Sequence, residues 1–168
     1  RKSQNLYILK KRVKKTNKNY TYQMKISKNF ILQEFLVTNT GLNNQLTSDA
    51  LANIEYLAKK LLQPLRDAYG KPIKINSGYR SVDVNKAIGG SPTSQHTKGQ
   101  AVDIVADDNK ALFDLIKSNF DFDQLIWEFG TDKQPAWVHV SIKKTGNRKQ
   151  VMRAIKNKLG KTLYIVEK

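Results

Sequence analysis

The chain has 168 residues, of which 39% are hydrophobic and 26% charged, and this balance is typical of one globular domain with a sizeable core. There is no cysteine, which excludes disulfide bonds and thiolate metal sites, and no apolar run reaches the roughly 20 residues that span a bilayer. The formal charge of +16 comes from the two ends, because residues 1–23 carry eight bases and no acid, residues 143–168 carry nine bases and one acid, and residues 24–142 are balanced.

A basic N-terminal extension is predicted over residues 1–23, followed by one domain over residues 24–168. The extension is rich in lysine and asparagine, and Tyr7–Leu9 offers at most one short strand. It lacks the sustained apolar core of a secretory signal, so we expect none. The basic ends favour an anionic partner, either nucleic acid, a membrane surface or the acidic polymers of a bacterial envelope, although they also serve solubility.

Helices and strands are predicted in mixed order along the domain. Gln33–Phe35 favours one helical turn, and Thr47 is an N-cap residue for a long helix that ends at Gly70 and is kinked by Pro64. Further helices are predicted over residues 82–88, from Asp107 or Asp108 to about Asn119, and, with a basic surface, from Asn147 to Gly160. Strands are predicted over residues 72–76, 101–106, 124–129, 136–142 and 162–166. This pattern indicates an α+β domain.

Only two histidines occur in the chain, and both lie in strand-associated segments. His96 precedes Asp103 across a loop whose small residues, Gly99 and Ala101, let the chain fold tightly. Asp103 and His139 each alternate with valine or isoleucine, so both side chains should point away from the apolar face of their strands. Two imidazoles and a carboxylate are the ligand set of a catalytic zinc ion, which keeps a fourth position for water. The sequence therefore predicts a site for one Zn²⁺ at His96, Asp103 and His139, rather than two unrelated histidines.

The same residues carry a resemblance to a known family. Ser94-Gln95-His96-Thr97-Lys98-Gly99-Gln100-Ala101-Val102-Asp103, followed by Trp137-Val138-His139, resembles the zinc D-alanyl-D-alanine carboxypeptidases and their VanY-like relatives, which include many phage endolysins. The likeness covers about residues 24–155 and is greatest to a compact, mostly phage-borne branch, through these segments: Lys28-Asn29-Phe30, Glu34-Phe35, Leu62-Gln63-Pro64-Leu65-Arg66, Ser77-Gly78-Tyr79-Arg80-Ser81, Gly89-Gly90-Ser91 and Gln124-Leu125-Ile126.

This resemblance implies a fold, a metal and a substrate class. It implies the D,D-peptidase fold, a small antiparallel sheet with flanking helices, and one zinc ion held by His96, Asp103 and His139. It also implies hydrolysis of amide bonds in peptidoglycan stem peptides, as a D,D-carboxypeptidase or an endopeptidase, and a lytic role at the cell wall. The expected site of action is the bacterial cell wall or periplasm, and the expected origin is a phage gene expressed in the host cytoplasm. We expect a monomer without specific nucleic-acid binding.

Peptide hydrolysis also needs a carboxylate that takes a proton from water and passes it to the leaving amine. In much of the family this acid stands just before the last histidine, but here residues 135–138, which precede His139, contain no acid. Glu128 is the first candidate for the catalytic base, because it alternates with two aromatic residues on the neighbouring predicted strand. Asp132 is the second candidate, and an ordinary exposed position for Glu128 is the alternative.

Several residues are candidates for contact with the substrate. Arg80 follows a Gly-Tyr turn that would present its planar guanidinium to a substrate carboxylate or carbonyl, and the family resemblance implies the same role. A structural salt bridge is the alternative for this arginine. Ser94 and Gln95 are expected either to touch substrate or to form hydrogen bonds within the loop. Tyr79 and Trp137 are candidates to line the cleft, although burial is the usual fate of aromatic residues.

Two functions of other classes stay open at this point. A catalytically inactive domain of the same fold would dock on the envelope through its basic ends, and it would bind wall material without releasing products. A nucleic-acid-binding protein is the weaker alternative, since the balanced middle of the chain lacks interleaved aromatic and basic residues.

Overall fold

The computed structural model of the protein describes residues 24–167, and the strand predicted at Tyr7–Leu9 lies outside them. The strands are β1 (Lys74–Ser77), β2 (Ala101–Val105), β3 (Gln124–Glu128), β4 (Trp137–Ser141), β5 (Gln150–Lys156) and β6 (Thr162–Val166). They form one sheet in the order β1-β2-β4-β3-β5-β6, antiparallel except for the parallel pair β3 and β5. The helices are α1 (Leu32–Leu36), α2 (Ser48–Leu57), α3 (Gln63–Tyr69), α4 (Val82–Ala87) and α5 (Asn109–Asn119). The predicted α+β fold, a mainly antiparallel sheet with flanking helices, is confirmed.

A long helical segment packs against the core and carries the features that the sequence predicts. The Thr47 hydroxyl accepts a hydrogen bond from the N–H of Ala50 at 3.2 Å, and Gly70 ends the segment with a φ of 76°. The interruption predicted at Pro64 takes the form of a π-helical turn over Ala58–Leu62, which joins α2 to α3. Proline has no N–H for the preceding turn, so a wider turn just before it is a low-cost accommodation. Within residues 24–167, no helix is long and apolar enough to cross a membrane.

Strands β2 and β4 separate two kinds of chemistry onto the two faces of the sheet. Val102, Ile104, Val138 and Val140 belong to the buried cluster that the helices cover. On the other face, Asp103 is the register partner of His139. Because side chains alternate along a strand, one face builds the core and the other is left for the site.

The prediction of a basic helix from Asn147 to Gly160 is wrong, whereas the prediction of a strand over residues 162–166 is confirmed. Residues 150–156 form β5, which pairs with β3, and a turn at Asn157 leads into β6. A side-chain period of two decides the structure here, because Met152 and Ala154 are buried beside β3 while Arg153 between them stays partly accessible. The side-chain oxygen of Asn157 accepts hydrogen bonds from two backbone N–H groups and closes the turn.

Candidate metal centre

The structure brings His96, Asp103 and His139 into one buried group. Oδ1 of Asp103 lies 2.9 Å from Nδ1 of His139 and 3.3 Å from Nε2 of His96, and these two imidazole nitrogens are 3.2 Å apart. Ligands placed tetrahedrally at about 2.05 Å from zinc are about 3.3 Å from one another. The spacing and the chemistry of the three donors therefore fit one zinc ion with a fourth position free for water.

Local backbone structure explains how the three side chains meet. Asp103 and His139 face each other across β2 and β4, and His96 lies in a 3₁₀ turn over Gln95–Lys98. That turn ends at Gly99 with a φ of 68°, and a Cβ there would lie 2.5 Å from the carbonyl oxygen of Ala50. Only glycine combines this conformation with such a close approach to α2, so Gly99 fixes the position of His96.

The orientation of His96 depends on the carbonyl of Gly78, which sequence reasoning did not single out. Nδ1 of His96 donates a hydrogen bond to this oxygen at 2.7 Å. A carbonyl only accepts, so Nδ1 carries a proton and Nε2 is the nitrogen that faces Asp103 and His139. Glycine is required at position 78, because a Cβ there would lie 2.6 Å from both the Cα and the carbonyl oxygen of Phe35.

Arg80 lies beside the metal ligands and on the wall of the cleft. One terminal nitrogen (Nη2) of its guanidinium donates to Oδ2 of Asp103 at 2.8 Å, and its Nε donates to Ser77 Oγ at 2.9 Å. A bulge in β1 places Ser77 opposite Asp103, which brings its hydroxyl to this side of the sheet. The ion pair foreseen as the alternative is therefore present, and the guanidinium still has further N–H groups to offer in the cleft.

The charge of Asp103 is stabilised where it is buried. Burial alone would raise the pKa of its carboxyl. The positive charge of His96 and His139, together with the hydrogen bonds that they donate, outweighs burial and holds the pKa below its ordinary range. An ionised carboxylate is the form that binds a metal, so Asp103 is prepared to act as a ligand.

Glu128 has the surroundings of a proton-transfer group. It lies on β3 opposite Trp137, is only 6% exposed, and borders the same cavity as the two histidines. Burial raises the pKa of Glu128 to about 7. Among residues 24–167, no side chain or backbone N–H hydrogen-bonds to its carboxyl. A carboxyl group with a pKa near neutrality is suited to accept and release a proton at pH 7.

Asp132 does not reach the site, and the prediction that made it the second candidate base is wrong. Its side chain is 92% exposed and pairs with Arg153 at 2.7 Å. The turn after β3 carries it out to solvent, away from the cavity.

A cavity of about 870 Å³ opens above the metal ligands. Ser94, Gln95 and Trp137 border it, and their contact with substrate stays a prediction. The first two also hold the loop in place: Ser94 Oγ accepts from the N–H of His96, and Gln95 Oε1 accepts from the hydroxyl of Ser141. Tyr79 does not line the cleft and that prediction is wrong. Its ring is buried in the core, and its hydroxyl donates to the carbonyl of Gln45 at 3.0 Å.

Asn44 holds the loop that carries Arg80, and nothing in the sequence pattern distinguished it. Its amide nitrogen donates to the carbonyls of Leu36 and Tyr79, at 3.0 and 2.9 Å, and its amide oxygen accepts from the N–H of Ser81 at 2.7 Å. The asparagine is surrounded in sequence by other polar loop residues, so only the fold shows that it joins α1 to the loop.

Asp123 anchors the C-terminal bases at one end of the cavity. Its side chain is fully buried and pairs with Lys143 at 2.7 Å and with Arg148 at 2.5 Å. Burial would raise the pKa of Asp123, but the hydrogen bonds from Arg148 and Lys143 outweigh it and hold the pKa well below its ordinary range. Part of the basic C-terminal charge is thus neutralised within the fold.

The fold and the site together define the class of protein, an α+β domain whose two histidines and one aspartate fit a single zinc ion. The family described as Peptidase M15 matches residues 28–141, more than half of the chain, and the chain belongs to this family. A 46-residue stretch is 48% identical to the zinc D-Ala-D-Ala carboxypeptidase of Streptomyces albus G. That stretch covers 27% of this chain and 18% of the relative. The predicted VanY-like family membership is confirmed, while the phage branch stays a prediction.

Proposed function

We propose that this domain is a zinc-dependent peptidase that cleaves amide bonds in the stem peptides of bacterial peptidoglycan. The observation that carries the proposal is the buried group of His96, Asp103 and His139 at the base of an open cleft, with the carboxyl of Glu128 beside it. The substrate class is supported by the Peptidase M15 family and by a relative whose name specifies D-Ala-D-Ala. Zinc at such a site lowers the pKa of a water to about 7 and polarises the scissile carbonyl.

The chain supplies the proton transfers. Glu128 takes the proton of the attacking water and returns it to the nitrogen of the leaving amine, so that the product leaves as a neutral amine. The low-polarity surroundings that raise the pKa of Glu128 support both steps, since the same carboxyl must first accept and then donate. Gly78 and Arg80 act through the metal ligands. The carbonyl of Gly78 orients His96, and the guanidinium of Arg80 orients Asp103.

The chain also positions the substrate. We assign the remaining N–H groups of Arg80 to a carboxylate or carbonyl of the stem peptide, on the β1 side of the cleft. Trp137 stacks edge-on against Phe129, with ring centroids 5.3 Å apart, and this pair forms an apolar wall next to Glu128. Ser94 and Gln95 keep the floor of the cleft in place and offer polar contacts to the peptide backbone.

We further propose that the domain spans residues 24–168, acts as a monomer at the cell wall and is lytic there. The basic ends would hold it on anionic wall polymers. Some C-terminal bases already form ion pairs, as Arg153 does with Asp132 and Arg148 does with Asp123, so the other bases would make this contact. A phage origin agrees with a lytic role.

Metal removal and one substitution test this proposal. Protein treated with a chelator should lose its activity on purified peptidoglycan and regain it with Zn²⁺. Glu128→Gln should keep its zinc but lose a factor of about 10² to 10⁴ in turnover, because proton transfer is removed. Asp132→Asn is the matched control and should turn over normally.

Three outcomes would each contradict a different part of the proposal. Full activity after chelation and dialysis would refute the zinc mechanism, and near-normal turnover of Glu128→Gln would move the proton transfer to another group. Tight wall binding by the zinc-loaded wild type without release of any muropeptide would favour the catalytically inactive envelope-binding module.

A further inference from the structure

The hairpin of β5 and β6 lies beyond the part of the chain that the family matches, yet it borders the cleft. The family match ends at residue 141, and the hairpin covers residues 150–166. Thr162 and Tyr164 of β6 border the same cavity as Glu128 and the metal ligands. This wall is therefore a feature that the matched region does not contain.

Strand register places Tyr164 on the metal side of the sheet. Glu128 is the register partner of Ala154, and Ala154 is the partner of Tyr164. Partners in neighbouring strands point to the same face, so these three side chains form one row. Ala154 is too small to fill the space between the other two, and Tyr164 is 55% exposed. Its ring thus stands in the cleft instead of packing into the core.

The position of Tyr164 gives a length for the substrate. β6 is separated from β4, the strand of His139, by β3 and β5, so three strand spacings of about 4.8 Å, or about 14 Å, lie between them. An extended peptide advances about 3.4 Å per residue and needs about four residues to cover this distance. The cleft is therefore long enough for a stem peptide and much longer than a dipeptide.

We propose that Tyr164 forms a distal substrate-binding subsite, which holds the stem peptide about three to four residues away from the scissile bond. This inference rests on the proposed function. Arg80 lies at the β1 end of the cleft, and we assign to it the carboxylate at the carboxyl-terminal end of the substrate. The amino-terminal part of the peptide then lies at the β6 end, beside Tyr164. The ring offers a flat apolar surface, and the hydroxyl donates or accepts a hydrogen bond at a peptide group. Thr162 is kept in place beside it by the amino group of Lys156, which donates to its hydroxyl at 2.7 Å.

Two peptides of different length test the subsite. One is a pentapeptide with the stem sequence, and the other is its N-acetylated carboxyl-terminal dipeptide, which ends before it reaches β6. Tyr164→Ala should lower kcat/KM on the pentapeptide about tenfold, mainly through KM, and leave the dipeptide within about twofold. Tyr164→Phe separates the ring from the hydroxyl. Leu163→Ala is the matched control, since it changes an exposed residue of the same strand that points to the opposite face.

A binding measurement keeps the inference separate from catalysis. In the zinc-loaded Glu128→Gln variant, adding Tyr164→Ala should weaken pentapeptide binding by the same factor of about ten, measured by calorimetry. An equal loss on both peptides, or no loss on the pentapeptide in either assay, would overturn the subsite. If the wild type with zinc hydrolyses neither peptide, the proposed function fails, while pentapeptide binding still decides the role of Tyr164.

Discussion

Replacing Gly78 by alanine should weaken zinc binding although residue 78 contributes no ligand atom. The new Cβ would start 2.6 Å from two backbone atoms of Phe35, whereas ordinary contacts begin at 3.4 Å. Backbone atoms on both sides leave no flexible side chain to give way, so the Gly78 segment must retreat. A retreat of that size takes the hydrogen bond from His96, now 2.7 Å, to about 3.5 Å, which is beyond hydrogen-bonding range.

Two losses follow from this displacement. Overpacking of a tight contact costs about 1–3 kcal/mol of stability. Loss of the group that orients a ligating histidine lowers metal affinity about 10- to 100-fold. Zinc affinity would be measured by competition with a chromophoric chelator, and stability by thermal unfolding of the zinc-free protein.

The control for Gly78→Ala is Gly146→Ala, which meets open space but has a φ of 69°. It should lose about 1 kcal/mol through backbone strain and keep its zinc affinity. Unchanged zinc affinity in Gly78→Ala, with the stability loss present, would refute the role assigned to the Gly78 carbonyl.

Three further predictions concern charge and metal. Asp123→Asn should cost about 1.5 to 3 kcal/mol in a denaturant titration, because it removes the charge of a buried carboxylate that accepts hydrogen bonds from Lys143 and Arg148. Since the pKa of Asp123 is lowered in the folded protein, this stabilisation is present above about pH 4 and is lost as the pH falls below it, so the gap to wild type should shrink in acid. Arg80→Lys should lower kcat/KM at least tenfold in a peptide hydrolysis assay, because one ammonium nitrogen replaces the planar fork that contacts Ser77, Asp103 and a substrate through separate nitrogens. Free zinc at 100 times its Kd should raise the unfolding free energy by about 2.7 kcal/mol, and an unchanged Tm would contradict native-state binding.

The site was more predictable from sequence than the end of the chain. The three metal ligands lie in short segments whose alternation predicts strands and whose small residues predict a tight loop. Strand pairing then brings together His96, Asp103 and His139. The position of Glu128 at the same cavity followed from the same alternation, and its role as the base stays a prediction. The prediction for Asp132 was wrong because the turn after β3 carries its side chain into solvent, and the sequence pattern does not specify the direction of that turn.

The residues that sequence reasoning misplaced depend on distant partners. The segment over residues 150–156 has bases at spacings that suit a helix as well as a strand, and only the open edge of β3 decides between them. Tyr79 is buried because α1 and the loop near Gln45 close over it. Asn44 and Gly78 act through backbone groups of other elements, which leave no mark in the local sequence.

The division of β2 and β4 into an apolar face and a ligand face affects which substitutions such a domain tolerates during evolution. Substitutions on the cleft side alter specificity, or abolish metal binding, without removing a methyl group from the core that holds the sheet to its helices. The residues that determine the fold and the residues that determine the chemistry can therefore change independently of each other. A chain that loses one of the three ligands would therefore keep the core that folds it and would retain the cleft as a binding surface.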